Sequence, residues 1–185
     1  MRDALTDLGN RRFLDETLEP LVRTVLPSPD DLICGLIDVD NFKQLNDTQG
    51  HAAGDKLLVL LADLLRASIR LTDYAIRMGG DEFALLLPGC DLDRAKRLAQ
   101  RINSLFRQHM NTTARSCPGV ALSLGVASLR HEGVATGKEL LAAADANVYQ
   151  AKRAGKDQVV ASAPASSDES TAQDISAGAG DSMVR

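Results

Sequence analysis

The chain predicts an α/β domain in which helices wrap a sheet that contains an antiparallel hairpin. Two observations carry this. Helical and strand-like hydrophobic periods alternate along the first 160 residues, and a Gly79-Gly80 pair separates two short strand-like runs. The resulting order is helix, strand, helix, hairpin, helix, strand, helix, strand. It puts the hairpin inside the sheet instead of giving a succession of βαβ crossovers. At 185 residues the chain suffices for one ordinary domain and is too short for two well-packed ones.

Leu32 to Ile37 is a continuous apolar run behind Pro27-Ser28-Pro29-Asp30, the pattern of a buried strand. Gly54-Asp55 opens a helix in which Leu57, Leu60, Leu61, Leu64 and Leu65 share one face. Tyr74–Met78 and Glu82–Leu87 are the hairpin strands, and Gly79-Gly80 supplies a turn whose two positions both accept positive φ. Asp91 to Gln108 is amphipathic, with Leu92, Ala95, Ala99, Ile102 and Phe106 on one side. Val120, Leu122, Leu124 and Val126 alternate with smaller residues, which is a strand period. Thr136 to Ala154 reads as a helix stopped by Gly155, and Asp157 to Val160 as a last short strand. The domain therefore spans residues 1–160. From Ala161 to Arg185 the sequence is Ala, Ser, Gly and acid, a composition expected to form a disordered tail.

Hydrophobic residues make up 44% and charged residues 25%, the balance of a soluble globular protein. No apolar stretch is long enough to cross a bilayer, and the charged start Arg2, Asp3, Asp7, Arg11, Arg12 is unlike a signal peptide. A net charge of −4, 3% aromatic residues and no Trp argue against nucleic-acid binding. The three cysteines, Cys34, Cys90 and Cys117, lie far apart with no CxxC pair, so reduced thiols and a cytoplasmic location are expected.

Three segments concentrate polar groups. Asp38-Val39-Asp40-Asn41-Phe42-Lys43 follows the first strand, and alternation places Asp38 and Asp40 on one side. Two carboxylates at a strand end suit Mg²⁺, a hard cation that takes oxygen ligands; the same residues also suit an Asx turn that caps a helix. Gly79-Gly80-Asp81-Glu82-Phe83 puts two acids where side-chain-free glycines let a ligand approach the backbone, although acids on turns are commonly just solvated. If the hairpin pairs beside the first strand, Asp38 and Asp81 approach each other. Like charges so close favour a bound cation, and metal-assisted phosphoryl transfer uses such a pair. In the third segment, Asn46 to Lys56, a carboxylate can accept from guanine N1–H and its exocyclic amine together, whereas adenine N1 repels it. Asn46 and Asp55 can thus select a purine, or serve as helix caps. No phosphate-binding P-loop is present: three residues separate Gly50 from Gly54, and Leu57 follows Lys56. Lys152 and Lys156, about one turn apart, can clamp phosphates or complement a helix dipole.

These motifs, in this order, resemble the GGDEF-domain diguanylate cyclases over roughly Asp3 to Val160. The resemblance is carried by Asp3-Ala4-Leu5-Thr6-Asp7-Leu8-Gly9-Asn10-Arg11-Arg12, which resembles the family's opening helix and wide turn, and by Asp38 through Asp47. Gly50 to Asp55, the signature Gly79 to Phe83, Ser123 to Ala127 and Ala144 to Lys152 complete it. It implies a central mixed, largely antiparallel five-stranded sheet, similar to nucleotidyl cyclase and polymerase palm domains. It also implies a homodimer that joins two GTP into cyclic di-GMP and two pyrophosphates.

On this resemblance Asp38, the Val39 carbonyl and Asp81 hold Mg²⁺, with Mn²⁺ as the other candidate. Asp81 helps deprotonate the 3′-hydroxyl, and Glu82 supports the metals or that hydroxyl. Asn46 and Asp55, with His51 nearby, match the guanine-reading positions. Gly79 and Gly80 border the substrate, and Lys43, Lys152, Lys156 and the amides of Asn41 and Phe42 match the phosphate contacts. Arg70 and Asp73 form an RxxD motif five residues before Gly79, where the family's product-inhibition site lies, and Arg97 and Arg101 match its secondary contacts. The departures are Lys156 where Arg is common, and Asn147 and Val148 in the last helix; neither touches the expected metal site. The runner-up reading is a non-catalytic GGDEF domain that binds GTP or cyclic di-GMP. A third, a mixed-purine cyclase, is opposed by Asp55.

Overall fold

The computed structural model describes residues 1–112 and 119–162. Its elements are α1 (Arg11–Val25), β1 (Leu32–Asp40), α2 (Phe42–Gln49), α3 (His51–Ser68), β2 (Tyr74–Gly79), β3 (Glu82–Pro88), α4 (Leu92–Thr112), β4 (Ala121–Ser128), α5 (Gly137–Arg153) and β5 (Gln158–Ala161). The strands form one sheet in the order β2-β3-β1-β4-β5, antiparallel except where β5 runs parallel to β4. This is the expected α/β architecture, with β1 as the middle strand.

The centrality of β1 explains its sequence. Ile33, Ile37 and Val39 enter a core shared with α3 and α4 through Leu58, Leu61, Ile102 and Phe106. Cys34 and Leu36 enter a second core with α1 and α5 through Leu14, Val22, Leu140 and Ala144. A strand covered on both faces needs apolar residues at every position, hence the unbroken run. The same alternation carries Asp38 and Asp40 to the face covered by α5. Burial pushes the Cys34 thiol up to about 12, so it stays a core residue. Cys34 and Cys90 are free thiols; Cys117 lies outside the described residues.

Several boundaries differ from those the sequence suggests. α2 was not expected: it buries only Leu45, with Phe42 packed against the core, too little for a visible period. α3 starts at His51, three residues before Gly54. Gly54 is a close approach between helices instead of a helix start, since a Cβ there would lie 2.0 Å from Asn46 Oδ1. The hairpin register passes from Arg77–Phe83 to Gly79–Glu82, so Met78 is a bulge and the turn residues are Gly80-Asp81, not Gly79-Gly80. Gly80, at φ 51°, takes the left-handed conformation this turn requires.

The N-terminal motif also divides. Residues 3–9 form a wide turn docked on β2, with Gly9 N–H donating to Ala75 O and Arg77 N–H to Gly9 O. Only at Arg11 does α1 begin, capped by the Asn10 side chain, which accepts from Phe13 N–H. Thr136 and Glu139 form a capping box at the start of α5. β5 takes in Ala161, the first residue of the expected tail, and Ser162 N–H donates to Val126 O. Residues 163–185, the rest of that tail, lie outside the described residues. Among the described residues no helix is long and apolar enough to cross a membrane.

Helix α5 lies so close to β4 that a Cβ at Gly125 would meet Ala144 O at 2.2 Å and Val148 N at 2.4 Å, both backbone atoms. Gly125→Ala should therefore destabilise the domain by about 1–3 kcal/mol, since helix and strand must separate. Urea denaturation measures this; an unchanged midpoint would contradict the packing.

Candidate active site

Three pieces of the fold meet at one end of the sheet: the end of β1, the Gly80-Asp81 turn and the last turn of α5. The β1–β3 register sets Asp38 opposite Glu82, and Val39 N–H donates to Asp81 O at 3.3 Å. From the covering helix, Lys152 Nζ donates to Asp38 Oδ2 at 2.6 Å, with 16% of the Asp38 side chain and 39% of the Lys152 side chain exposed. Burial, with the nearby Asp38 charge adding to it, holds the Asp81 carboxyl above its ordinary value against the opposing pull of its own backbone N–H, Lys152 and Arg77. Burial opposes the charge on Lys152 too, but the bond to Asp38 and the fields of Asp38, Asp40 and Asp81 outweigh it and raise its proton affinity.

Two convergent carboxylates, partly withdrawn from water and matched by a single lysine, form a site with an excess of negative charge. Such an oxygen donor set fits a hard divalent cation. Asp38 and Asp81 are the carboxylates that would hold it.

Asp40 faces the same side but serves another purpose. Both its oxygens accept from Ser123 Oγ, at 3.0 and 2.8 Å, and Oδ2 also accepts from Asp157 N–H. At 2% exposure it staples β1 to β4 and to the start of β5, so the Asp38–Asp40 pair noted in the sequence does not work as a pair. Asn41 occupies the cap position of α2 in a left-handed conformation, but its side chain bonds to Gly119 O and accepts from Lys156 Nζ at 2.9 Å. The first-turn amides of α2, around Phe42 and Lys43, are left without a side-chain cap, an arrangement suited to an anion. Lys43 is exposed.

Asn46, beneath Gly54, has a buried Oδ1 with no hydrogen-bond partner, an acceptor that awaits a donor. Asp55 and His51 are exposed on the first turns of α3, so Asp55 follows directly on the glycine that touches Asn46.

A second cluster lies at the other end of β2 and β3, about 17 Å along the strand from Glu82 to Leu87 at the usual rise per residue. A cavity of about 330 Å³ is lined there by Arg70, Asp73, Arg97 and Arg101, the four residues singled out in the sequence, together with Arg94 and Cys90. Arg70 and Asp73 form a tight turn: Arg70 N–H donates to Asp73 Oδ2 at 2.9 Å, and Asp73 N–H to Arg70 O. Burial and the nearby Asp91 push the Cys90 thiol up to about 11, which leaves it unreactive at neutral pH.

Residues 1–158 match the family described as diguanylate cyclase, GGDEF domain. The chain belongs to the GGDEF family. It is 35% identical over 167 residues to the diguanylate cyclase DgcP of Pseudomonas aeruginosa, covering 86% of this chain and 23% of that protein. It is 39% identical over 163 residues to the response regulator PleD of Caulobacter vibrioides, covering 87% of this chain and 36% of that protein. The chain thus spans about a quarter to a third of the length of these relatives. Among solved structures, the GGDEF domain of DgcB from Caulobacter crescentus in complex with c-di-GMP superposes with a TM-score of 0.80 at 28% identity, over 87% of this chain and 95% of that one. The fold and family expected from the sequence are borne out.

The sequence reading of this GGDEF domain passed over Arg77. Its Nη1 donates to Asp3 Oδ1 at 3.1 Å, and its Nε and Nη2 donate to Gly80 O at 3.1 and 2.8 Å. One guanidinium, 14% exposed, thereby ties the wide turn to the turn that presents Asp81. Burial works against the Asp3 charge, but the Thr6 hydroxyl and amide together with Arg77 hold its carboxyl below the ordinary range. The available signal was a lone arginine in a mostly apolar strand two residues before the glycine pair. Arg94 was likewise missed, although it lies three residues before Arg97 on the same helix.

The raised proton affinity of Asp81 fixes a pH dependence. Its stabilising contribution is present below the ordinary value of 3.8 and is lost as pH rises through the higher folded-state value. At neutral pH the charged carboxylate is therefore a net cost. Asp81→Asn should raise the Tm at pH 7, and the gain should vanish below about pH 3.8. A neutral or lower Tm at pH 7 would contradict the burial of the Asp81 carboxylate beside Asp38.

Proposed function

We propose that this GGDEF domain is a diguanylate cyclase, in which two copies meet face to face and join two GTP into cyclic di-GMP and two pyrophosphates. The observation that carries the reading is the convergence of Asp38 and Asp81, under one lysine, beside the uncapped start of α2. Asp38, Asp81 and the Val39 carbonyl would hold Mg²⁺ or Mn²⁺, whose chemistry here is to neutralise phosphate charge and acidify the 3′-hydroxyl. The α2 amides with Lys43, Lys152 and Lys156 orient the triphosphate. Gly79 and Gly80, without side chains, let the nucleotide lie against the hairpin.

Specificity follows from donors and acceptors. Asp55 accepts from guanine N1–H and the exocyclic amine, while the orphan Oδ1 of Asn46 takes a further donor from the base, with His51 alongside. In the reaction the 3′-oxygen of one GTP bonds to the α-phosphorus of the other, the bond to the bridging oxygen breaks, and pyrophosphate leaves. Asp81 helps take the hydroxyl proton, and Glu82, exposed opposite Asp38, supports the metals or the incoming hydroxyl. Because each copy binds one GTP, neither completes the product alone.

The cavity of Arg70, Asp73, Arg94, Arg97 and Arg101 suits the product itself. Guanidinium groups pair with phosphates and stack on guanine, and Asp73 accepts from a guanine edge. Its occupation is the route to product inhibition.

Incubation with GTP and Mg²⁺, read by mass spectrometry, should yield cyclic di-GMP, and Asp81→Ala should lower turnover by about a thousandfold or more with the circular dichroism unchanged. Absence of product alongside binding of GTP or cyclic di-GMP would replace the cyclase by a receptor. Calorimetry should show Arg70→Ala weakening cyclic di-GMP binding by about thirtyfold or more, and Arg94→Ala by about three- to tenfold. Unchanged affinity in Arg70→Ala would remove the inhibitory site.

A further inference from the structure

The two lysines at the end of α5 are held differently. Lys156 Nζ rests on a neutral acceptor, Asn41 Oδ1. Lys152 Nζ is in direct contact with Asp38, one of the two carboxylates that the cation site needs, and lies within the fields of Asp40 and Asp81. Asp38 is mostly buried, so to leave it without a counter-charge is costly. Asp40, bonded to Ser123 and the Asp157 amide, acts on Lys152 through its field, whereas Asp38 is its direct partner.

Asp38, Asp40 and Asp81 carry three negative charges around the one positive charge of Lys152. A divalent cation entering alone would have to displace or share Asp38 with the ammonium already bonded to it. A triphosphate removes the conflict, because its oxygens offer the ammonium a new anionic partner.

We propose that Lys152 is a resident counter-cation, which occupies Asp38 in the nucleotide-free domain and yields it to a divalent cation only when a triphosphate takes up its ammonium. This rests on the cyclase reading for the identity of the cation site. Lys152 therefore makes metal and nucleotide binding cooperative and keeps the empty site closed to bare divalent cations.

The test uses the full chain with Mn²⁺ as probe, its binding followed by electron paramagnetic resonance with and without a non-hydrolysable GTP analogue. Lys152→Met should bind Mn²⁺ alone about tenfold more tightly than the parent, as expected for loss of a partly buried competing cation. The enhancement of Mn²⁺ affinity by the analogue should shrink to match. Lys152→Arg, which keeps the charge, should retain the weak binding of Mn²⁺ alone, and Lys156→Met should not reproduce the tightening. Lys152→Gln repeats the measurement with a polar side chain should the methionine variant fold poorly. Equal or weaker Mn²⁺ binding in both neutral variants, or equal tightening in Lys156→Met, would overturn the proposal while leaving the cyclase reading intact. Failure of the parent to bind Mn²⁺ even with the analogue would overturn both.

Discussion

Two hydrogen-bonded stretches of backbone, the end of β1 and the β2–β3 turn, bring two carboxylates together, and the rest of the site answers that one unfavourable contact. Burial, with repulsion from Asp38 adding to it, is why Asp81 holds its proton more tightly than an exposed acid. The fold tolerates this because Lys152 arrives from α5 as a counter-charge. Its last-turn position, where helix carbonyls favour a cation, helps to keep it there.

Holding the pair requires order on both sides. Gly80 supplies the positive φ that swings Asp81 across the hairpin, and Arg77 fixes the Gly80 carbonyl to Asp3 of the wide turn. On the β4 side, Asp40 and Ser123 lock the strand that carries Asp38. The wide turn, the hairpin and the sheet centre are thereby one mechanical unit. The arginine-lined cavity opens at the far end of β2 and β3, the same strands, so that cavity and the Asp81 turn share their scaffold without sharing residues.

What the sequence disclosed depended on distance along the chain. β1 was legible because a strand buried on both faces must be apolar throughout, and the meeting of Asp38 with Asp81 followed once a hairpin was placed beside it. The turn was misplaced by one residue because the Met78 bulge leaves no mark in composition. α2 was invisible because a single buried leucine makes no period. Asp40 and Arg77 were the hardest, since their partners Ser123 and Asp3 lie 83 and 74 residues away. Local pattern says that such a residue is charged; only the assembled sheet says what neutralises it. Arg70, Asp73, Arg97 and Arg101 were found through motif order, and the cavity that they share depends on the packing of α4 against the sheet.

The most direct test of the central claim is anomalous diffraction from crystals grown with Mn²⁺ and a non-hydrolysable GTP analogue. A metal peak bonded to Asp38, Asp81 and the Val39 carbonyl is expected, with Lys152 withdrawn from Asp38 towards the phosphates. A metal bound to the phosphates alone, with Lys152 still paired to Asp38, would contradict it.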